Sequence, residues 1–153
     1  MSTVKPIPAG YHTLTPYLIM RDASRAIEFY KAAFGARERM RMSDRSGKVG
    51  HAELEIGDSV LMLADEHPEM NARAPEGDGL AFSLLLYVED VDAVAGRATA
   101  NGAKILKPIA DQFYGDRSGT FLDPFGHAWT IATHVEDVAP EEMKRRMQNM
   151  QAA

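Results

Sequence analysis

Tyr17-Leu-Ile-Met-Arg-Asp22, running into Ala23-Ser-Arg-Ala-Ile-Glu-Phe-Tyr-Lys-Ala-Ala-Phe34 and then Gly35, decides the fold, because the same pattern returns between Phe82 and Gly102. Tyr17 to Asp22 reads as a short apolar strand. From Ala23 to Phe34 the apolar residues Ala26, Ile27, Tyr30, Ala33 and Phe34 recur at helical spacing, and Gly35 ends the helix. The second copy reads Phe82-Ser-Leu-Leu-Leu-Tyr-Val88 as strand, Val91 to Ala100 as helix with Val91, Val94, Ala95 and Ala98 on one side, and Gly102 as stop. Asp22 and Asp90 lie 68 positions apart and Gly35 and Gly102 lie 67 apart, so the copies register to within one residue.

Each helix is followed by a hairpin. The first is His51 to Ile56, turn Gly57-Asp58, then Ser59 to Ala64; the second is Gly119 to Leu122, turn Asp123-Pro-Phe-Gly126, then His127 to Thr133. Third strands are expected at Arg37 to Met42 and Ala103 to Pro108. The predicted class is α+β: two tandem βαβββ modules forming a pseudo-twofold, partly open mixed β-barrel or cleft with the helices outside. One domain spans 1–153, with module 1 at about 12–65, a linker loop at 66–79 able to close over a pocket, and module 2 at about 80–135. A C-terminal helix is expected at about 139–150, with Glu141-Glu142 in its first turn and Lys144 to Arg146 later, as the helix dipole favours. Its stripe Met143, Met147 and Met150 docks either on the chain's own body or across a dimer interface.

With 153 residues, 45% hydrophobic and 25% charged, the chain has the composition of one globular domain. A net charge of −5 with no Lys/Arg block argues against nucleic acid, which demands a concentrated basic surface. The absence of cysteine excludes disulfides, thiolate metal sites and Cys nucleophiles. Met1 to Gly10 holds two prolines and no apolar run of signal-peptide length, and no later stretch is long enough to span a bilayer. The expectation is a soluble cytoplasmic protein without membrane partners.

This organisation, with Tyr17-Leu-Ile-Met-Arg-Asp-Ala-Ser-Arg-Ala-Ile-Glu-Phe-Tyr30 near the start and Phe121-Leu-Asp-Pro-Phe-Gly-His127 near the end, resembles the glyoxalase/bleomycin-resistance, or vicinal oxygen chelate, superfamily. Gly50-His-Ala-Glu-Leu54 and Gln112-Phe-Tyr-Gly-Asp-Arg-Ser-Gly119 look most like its PhnB-like branch, and the similarity runs roughly from Thr13 to His134. The resemblance implies a small-molecule pocket and commonly a homodimer. In the family's metalloenzymes, ligands come from the first and last strands of each half, slots that match Thr15, Met62, Ser83 and Thr130 here. Neutral hydroxyls and a thioether do not replace imidazole or carboxylate around a hard divalent cation, so no metal cofactor is expected. Methyl transfer, a label sometimes given to the PhnB-like branch, finds no Gly-rich cofactor loop after a strand.

Strand parity gives the inward face. Pairing Ile56 with Ser59 across the Gly57-Asp58 turn sets Glu53 opposite Met62, and puts His51, Glu53 and Glu55 on the face away from the helix. Pairing Leu122 with His127 sets Arg117 opposite Ala132, and puts Arg117, Gly119, Phe121, Ala128 and Thr130 inward. The candidate catalytic residues are therefore His51 and Glu53, and the candidate ligand-binding residues are Tyr17, Met62, Tyr87, Tyr114, Arg117 and Phe121, with Arg117 as an anion anchor. Simpler roles stand beside these: a hydrogen-bonded His51/Glu53 pair that only shapes the sheet, Arg117 bracing its loop through Asp116, Tyr87 and Phe121 as core, and His12, His67, His127 and His134 at the surface or in turns. Two functions compete. One is a metal-free protein that binds a cationic or aromatic small molecule with Glu53 or Glu55 meeting its charge; the other is a lyase or isomerase using His51 or Glu53 as acid–base, with a divalent metal as a variant.

Overall fold

Asp22 and Asp90 start their helices in the same way. Each lends a side-chain oxygen to the backbone N–H three residues on, Asp22 to Arg25 at 3.2 Å and Asp90 to Ala93 at 3.1 Å. These caps fix helices α1 (Ala23–Phe34) and α2 (Val91–Ala100). Gly35 closes α1 at φ 69°, a left-handed conformation that costs glycine little. The computed structural model describes residues 4–77 and 81–152. Met1 to Thr3, the linker's end at Asp78 and Gly79, and Leu80, where module 2 is expected to begin, lie outside the described residues.

Two compact units result, Met1–Asp78 and Gly79–Ala153. In the first, strands β1 (Tyr17–Met20), β2 (Arg37–Ser43), β3 (Val49–Ile56) and β4 (Ser59–Asp65) form a mixed sheet in the order β1-β4-β3-β2, with β1 and β4 parallel. In the second, β5 (Leu84–Tyr87), β6 (Lys104–Asp111), β7 (Asp116–Leu122) and β8 (Ala128–His134) repeat it as β5-β8-β7-β6, with β5 and β8 parallel. The α+β class and the tandem βαβββ order are as the sequence predicts, and neither sheet closes into a barrel by itself. The C-terminal helix α3 spans Pro140–Ala152, and the linker contains a short 3₁₀ turn at Pro68–Met70.

Helix α1 covers one face of its sheet. Leu18, Met20, Ala52, Leu54, Leu61 and Leu63 lie buried beneath Ala26, Ile27, Tyr30 and Ala33. The β3–β4 register matches the parity reading, Ile56 facing Ser59 and Glu53 facing Met62. A single backbone donor, the first N–H of each helix, is captured twice by different chemistry: Ala23 N donates to Asp65 at 2.7 Å, and Val91 N to the Thr133 hydroxyl at 2.9 Å. Asp65 also takes the Val49 N–H at 2.7 Å, pinning the start of β3.

The second hairpin departs from expectation. Asp123 joins the ladder, its N–H donating to the His127 carbonyl at 2.8 Å, so the loop is the three residues Pro124-Phe125-Gly126 with Gly126 at φ 93°. The Asp123 carboxylate, 3% exposed, accepts from Phe125 N, His127 N and Trp129 Nε1, each at 2.9 Å. Leu122 therefore pairs with Ala128 instead of His127, and Thr130 with Thr120 instead of Gly119. An odd change in loop length transfers alternate side chains to the other face. At the sheet's edge, the β6–β7 register skips between Lys107 and Ala110, leaving Pro108 and Ile109 beside Gly119. A Cβ on Gly119 would meet the Lys107 carbonyl at 2.9 Å, so glycine is needed for that approach.

Candidate functional site

On the face of the first sheet away from α1, the pairing Tyr17–Met62–Glu53–Met40 crosses four strands, and His51 pairs with Met42 one step along. This brings together four of the candidate residues: Tyr17, His51, Glu53 and Met62. The Tyr17 hydroxyl lies 2.9 Å from His51 Nδ1, and His51 Nε2 lies 2.9 Å from Glu53 Oε2. Tyr11, from the irregular segment before β1, donates its hydroxyl proton to Glu53 Oε1. Arg39, at the β2 irregularity between Glu38 and Met40, sits 4.8 Å from the Tyr11 ring centroid and 3.6 Å from Glu55. Arg37 also pairs with Glu55.

Glu53 is 5% exposed. Burial alone raises its carboxyl pKa, but the hydrogen bonds from His51 and Tyr11, with Arg39 nearby, outweigh it and hold the group below the usual carboxylate range. The Tyr11 phenol is raised by its bond to Glu53, and the Tyr17 phenol by burial and then by the Glu53 charge. An ionised Glu53 can only accept, so the proton of the His51 Nε2 contact lies on the imidazole, while His51 Nδ1 and Tyr17 Oη share the other hydrogen bond. Among the described residues, no buried side-chain nitrogen or oxygen is left without a hydrogen-bond partner.

The second unit arranges its polar groups differently, and here three expectations change. The one-residue register shift places Arg117 opposite Thr133 and Phe121 opposite Trp129, on the other side of the sheet from Thr130. Arg117 is no free anion anchor. It forms a two-pronged pair with Asp92 of α2, at 2.9 and 3.0 Å, and a further bond to Asp111 at 3.2 Å, not to Asp116. Phe121 is 3% exposed, a core residue beside Trp129. Tyr87 keeps the parity of Thr130 and donates to Asp116 Oδ2 at 2.9 Å, while Tyr114 lies in the loop, edge-on to Phe113.

His134 lies at the surface, as expected, and pairs across the ladder with buried Asp116. Its Nδ1 lies 2.8 Å from Asp116 and its Nε2 2.7 Å from Asp137, and these two hydrogen bonds raise its pKa. Sequence reading missed Tyr11, which belongs to no periodic element, and His134, which the corrected register reveals. It also missed Thr120, whose hydroxyl lies 3.1 Å from that of Thr130. Together with Phe82, Ser83, Leu106 and Lys107, these threonines line an open concavity of about 400 Å³.

The family resemblance raises the question of a divalent metal. Thr15 Oγ1 donates to the His12 carbonyl at 3.1 Å, Thr130 is engaged with Thr120, and Met62 offers only a thioether. Among the described residues, no three His, Cys, Asp or Glu side chains are grouped to hold a metal ion. The donor set does not fit a hard cation.

Residues 11–131 match the family model for the Glyoxalase/Bleomycin resistance protein/Dioxygenase superfamily. An uncharacterised protein of Mycobacterium bovis is 38% identical over 138 residues, covering 88% of this chain and 91% of its own. The crystal structure of TioX from Micromonospora sp. ML1 superposes with a TM-score of 0.65 at 28% identity, covering 81% of this chain and 99% of that one. A PhnB protein from Bacillus cereus shares the fold, with a TM-score of 0.65 at 20% identity over 80% of this chain and 99% of its own. With the family model spanning most of its length, this chain belongs to the glyoxalase/bleomycin-resistance/dioxygenase superfamily.

Proposed function

We propose that the chain is a metal-free, small-molecule-binding member of its superfamily, and that the Tyr17/His51/Glu53/Tyr11 cluster is the polar end of its site. The observation carrying this reading is a buried, ionised Glu53 held by Tyr11 and His51 and flanked across the strands by Met40 and Met62, with Met42 beside His51. An ordered polar group in an apolar wall is the usual composition of a ligand pocket. A cationic or aromatic ligand fits the acidic end. A homodimer in the cytoplasm belongs to the same reading.

Elemental analysis and native mass spectrometry of protein grown in metal-supplemented medium test it together. The expected result is substoichiometric metal with a small molecule carried through purification. A stoichiometric transition metal, removed by chelator along with the bound molecule, overturns the metal-free assignment.

The Tyr17–His51–Glu53 line also favours a second reading. In a lyase or isomerase, a histidine oriented by a carboxylate serves as general base. Turnover of any substrate found that survives both His51→Ala and Glu53→Gln rules this out.

A further inference from the structure

The pairing Leu85–Thr130–Thr120–Lys107 crosses the second sheet as Tyr17–Met62–Glu53–Met40 crosses the first. Cross-strand partners share a side of the sheet, so Lys107 stands on the face of the two threonines. Where the first row holds a buried acid, the second holds two hydroxyls and then a cation. Among the described residues Lys107 forms no ion pair, and Asp111, the acid of its own strand, is held by Arg117. The Thr120 and Thr130 hydroxyls lie 3.1 Å apart and either can be the donor. Whichever gives its proton, the other keeps its own O–H for a partner outside the pair. Both arrangements therefore leave one neutral and one charged donor on the same face.

These groups line the concavity of about 400 Å³ together with Ser83, a third hydroxyl, and the apolar side chains of Phe82 and Leu106, which are 61% and 44% exposed. We propose that this concavity is an anion site, opposite in polarity to the face proposed for the first unit. It takes a carboxylate carried on a flat apolar body: Lys107 meets the charge, the threonine pair donates its remaining proton, and Phe82 and Leu106 contact the body. A lysine ammonium is a compact point charge and balances one negative charge. A phosphate dianion calls for more cationic donors than one lysine supplies. An uncharged ligand of the same shape keeps the apolar contacts but forgoes the attraction to Lys107.

Benzoate and benzamide test this with the full-length chain, since they share size and shape and differ in charge. Titrations followed by NMR should show benzoate binding about fivefold more tightly than benzamide, with signals of Ser83, Thr120 and Thr130 moving. The preference should shrink in high salt, because the cation is exposed. In Lys107→Met it should fall to about one while benzamide affinity is unchanged; the variant keeps the apolar stem, and its amide spectrum checks the fold. Lys104→Met, on the same strand outside the concavity, should leave the preference in place. Equal or tighter binding of benzamide, a preference that survives Lys107→Met, or one lost equally in Lys104→Met overturns the proposal. So do failure of both probes to bind at millimolar concentration and shifts confined to the Tyr17, His51 and Glu53 face. Displacement of benzoate by inorganic phosphate at lower concentration than by acetate overturns the carboxylate assignment. The binding reading for the first unit stands or falls separately, on metal content and the carried molecule.

Discussion

The two units share strand order, helix capping and a buried helix-facing layer, yet on the opposite side of the sheet they connect their polar groups differently. In the first, Tyr17, His51 and Glu53 form a line of hydrogen bonds, and Tyr11 takes the other Glu53 oxygen. In the second, Tyr87 and His134 both turn their protons onto Asp116, and Asp137 takes the other His134 nitrogen. The first arrangement is a line from an edge strand inward; the second converges on the single carboxylate of Asp116 and ties the end of β8 to the start of β7. A duplicated backbone therefore conserves what holds the helix to the sheet while the far face is free to diverge in chemistry.

The largest expected effect separates the two hairpin turns. Asp123→Ala strips three buried donors of their acceptor and should cost about 3–4 kcal/mol in urea denaturation, whereas Asp58→Ala, in the exposed turn of the first hairpin, should stay within about 0.5 kcal/mol. Equal losses would mean that the turns do equivalent work. Next come the two ways of holding the helix start. Asp65→Ala should cost about 2–3 kcal/mol because it frees two N–H groups from a charged acceptor, and Thr133→Val about 1–2 kcal/mol.

The smallest effects sharpen the contrast by having opposite signs with pH. Glu53 is depressed, so its stabilisation is present above the ordinary carboxylate value of 4.5 and disappears as pH falls through its lower folded value. Glu53→Gln should therefore destabilise by about 1–2 kcal/mol at pH 7 and progressively less in acid. His134 is raised by its bonds to Asp116 and Asp137, so its contribution is complete below the ordinary value of 6.5 and disappears as pH rises through its higher folded value. His134→Gln should lower thermal stability at pH 6 and approach the parent at alkaline pH. Thermal melts of both variants across the pH range check the two signs at once.

The same contrast explains what was legible in the sequence. The helices and the Gly stops were readable because periodicity and helix-stop signals are local. The first hairpin was readable to the residue because a two-residue turn admits one register. The second was not: whether Asp123 belongs to the turn or the ladder depends on its carboxylate reaching Phe125, His127 and Trp129, a tertiary fact. That single residue carried Arg117 and Phe121 to the wrong face and concealed the Asp116–His134 pair. Tyr11 was invisible for a different reason, since no period governs an irregular segment.

Pro108, held out of register beside Gly119, also bears on how this protein behaves in a crowd. β6 is an outer strand of its sheet, and such a strand ordinarily offers a row of unpaired amides to any passing chain. Here the row is interrupted: proline contributes no amide hydrogen, and the irregularity around it bends the rim away from a straight template. An open sheet built in this way resists recruiting a neighbour's strand, so β6 carries a safeguard against fibrillar self-association within its own backbone.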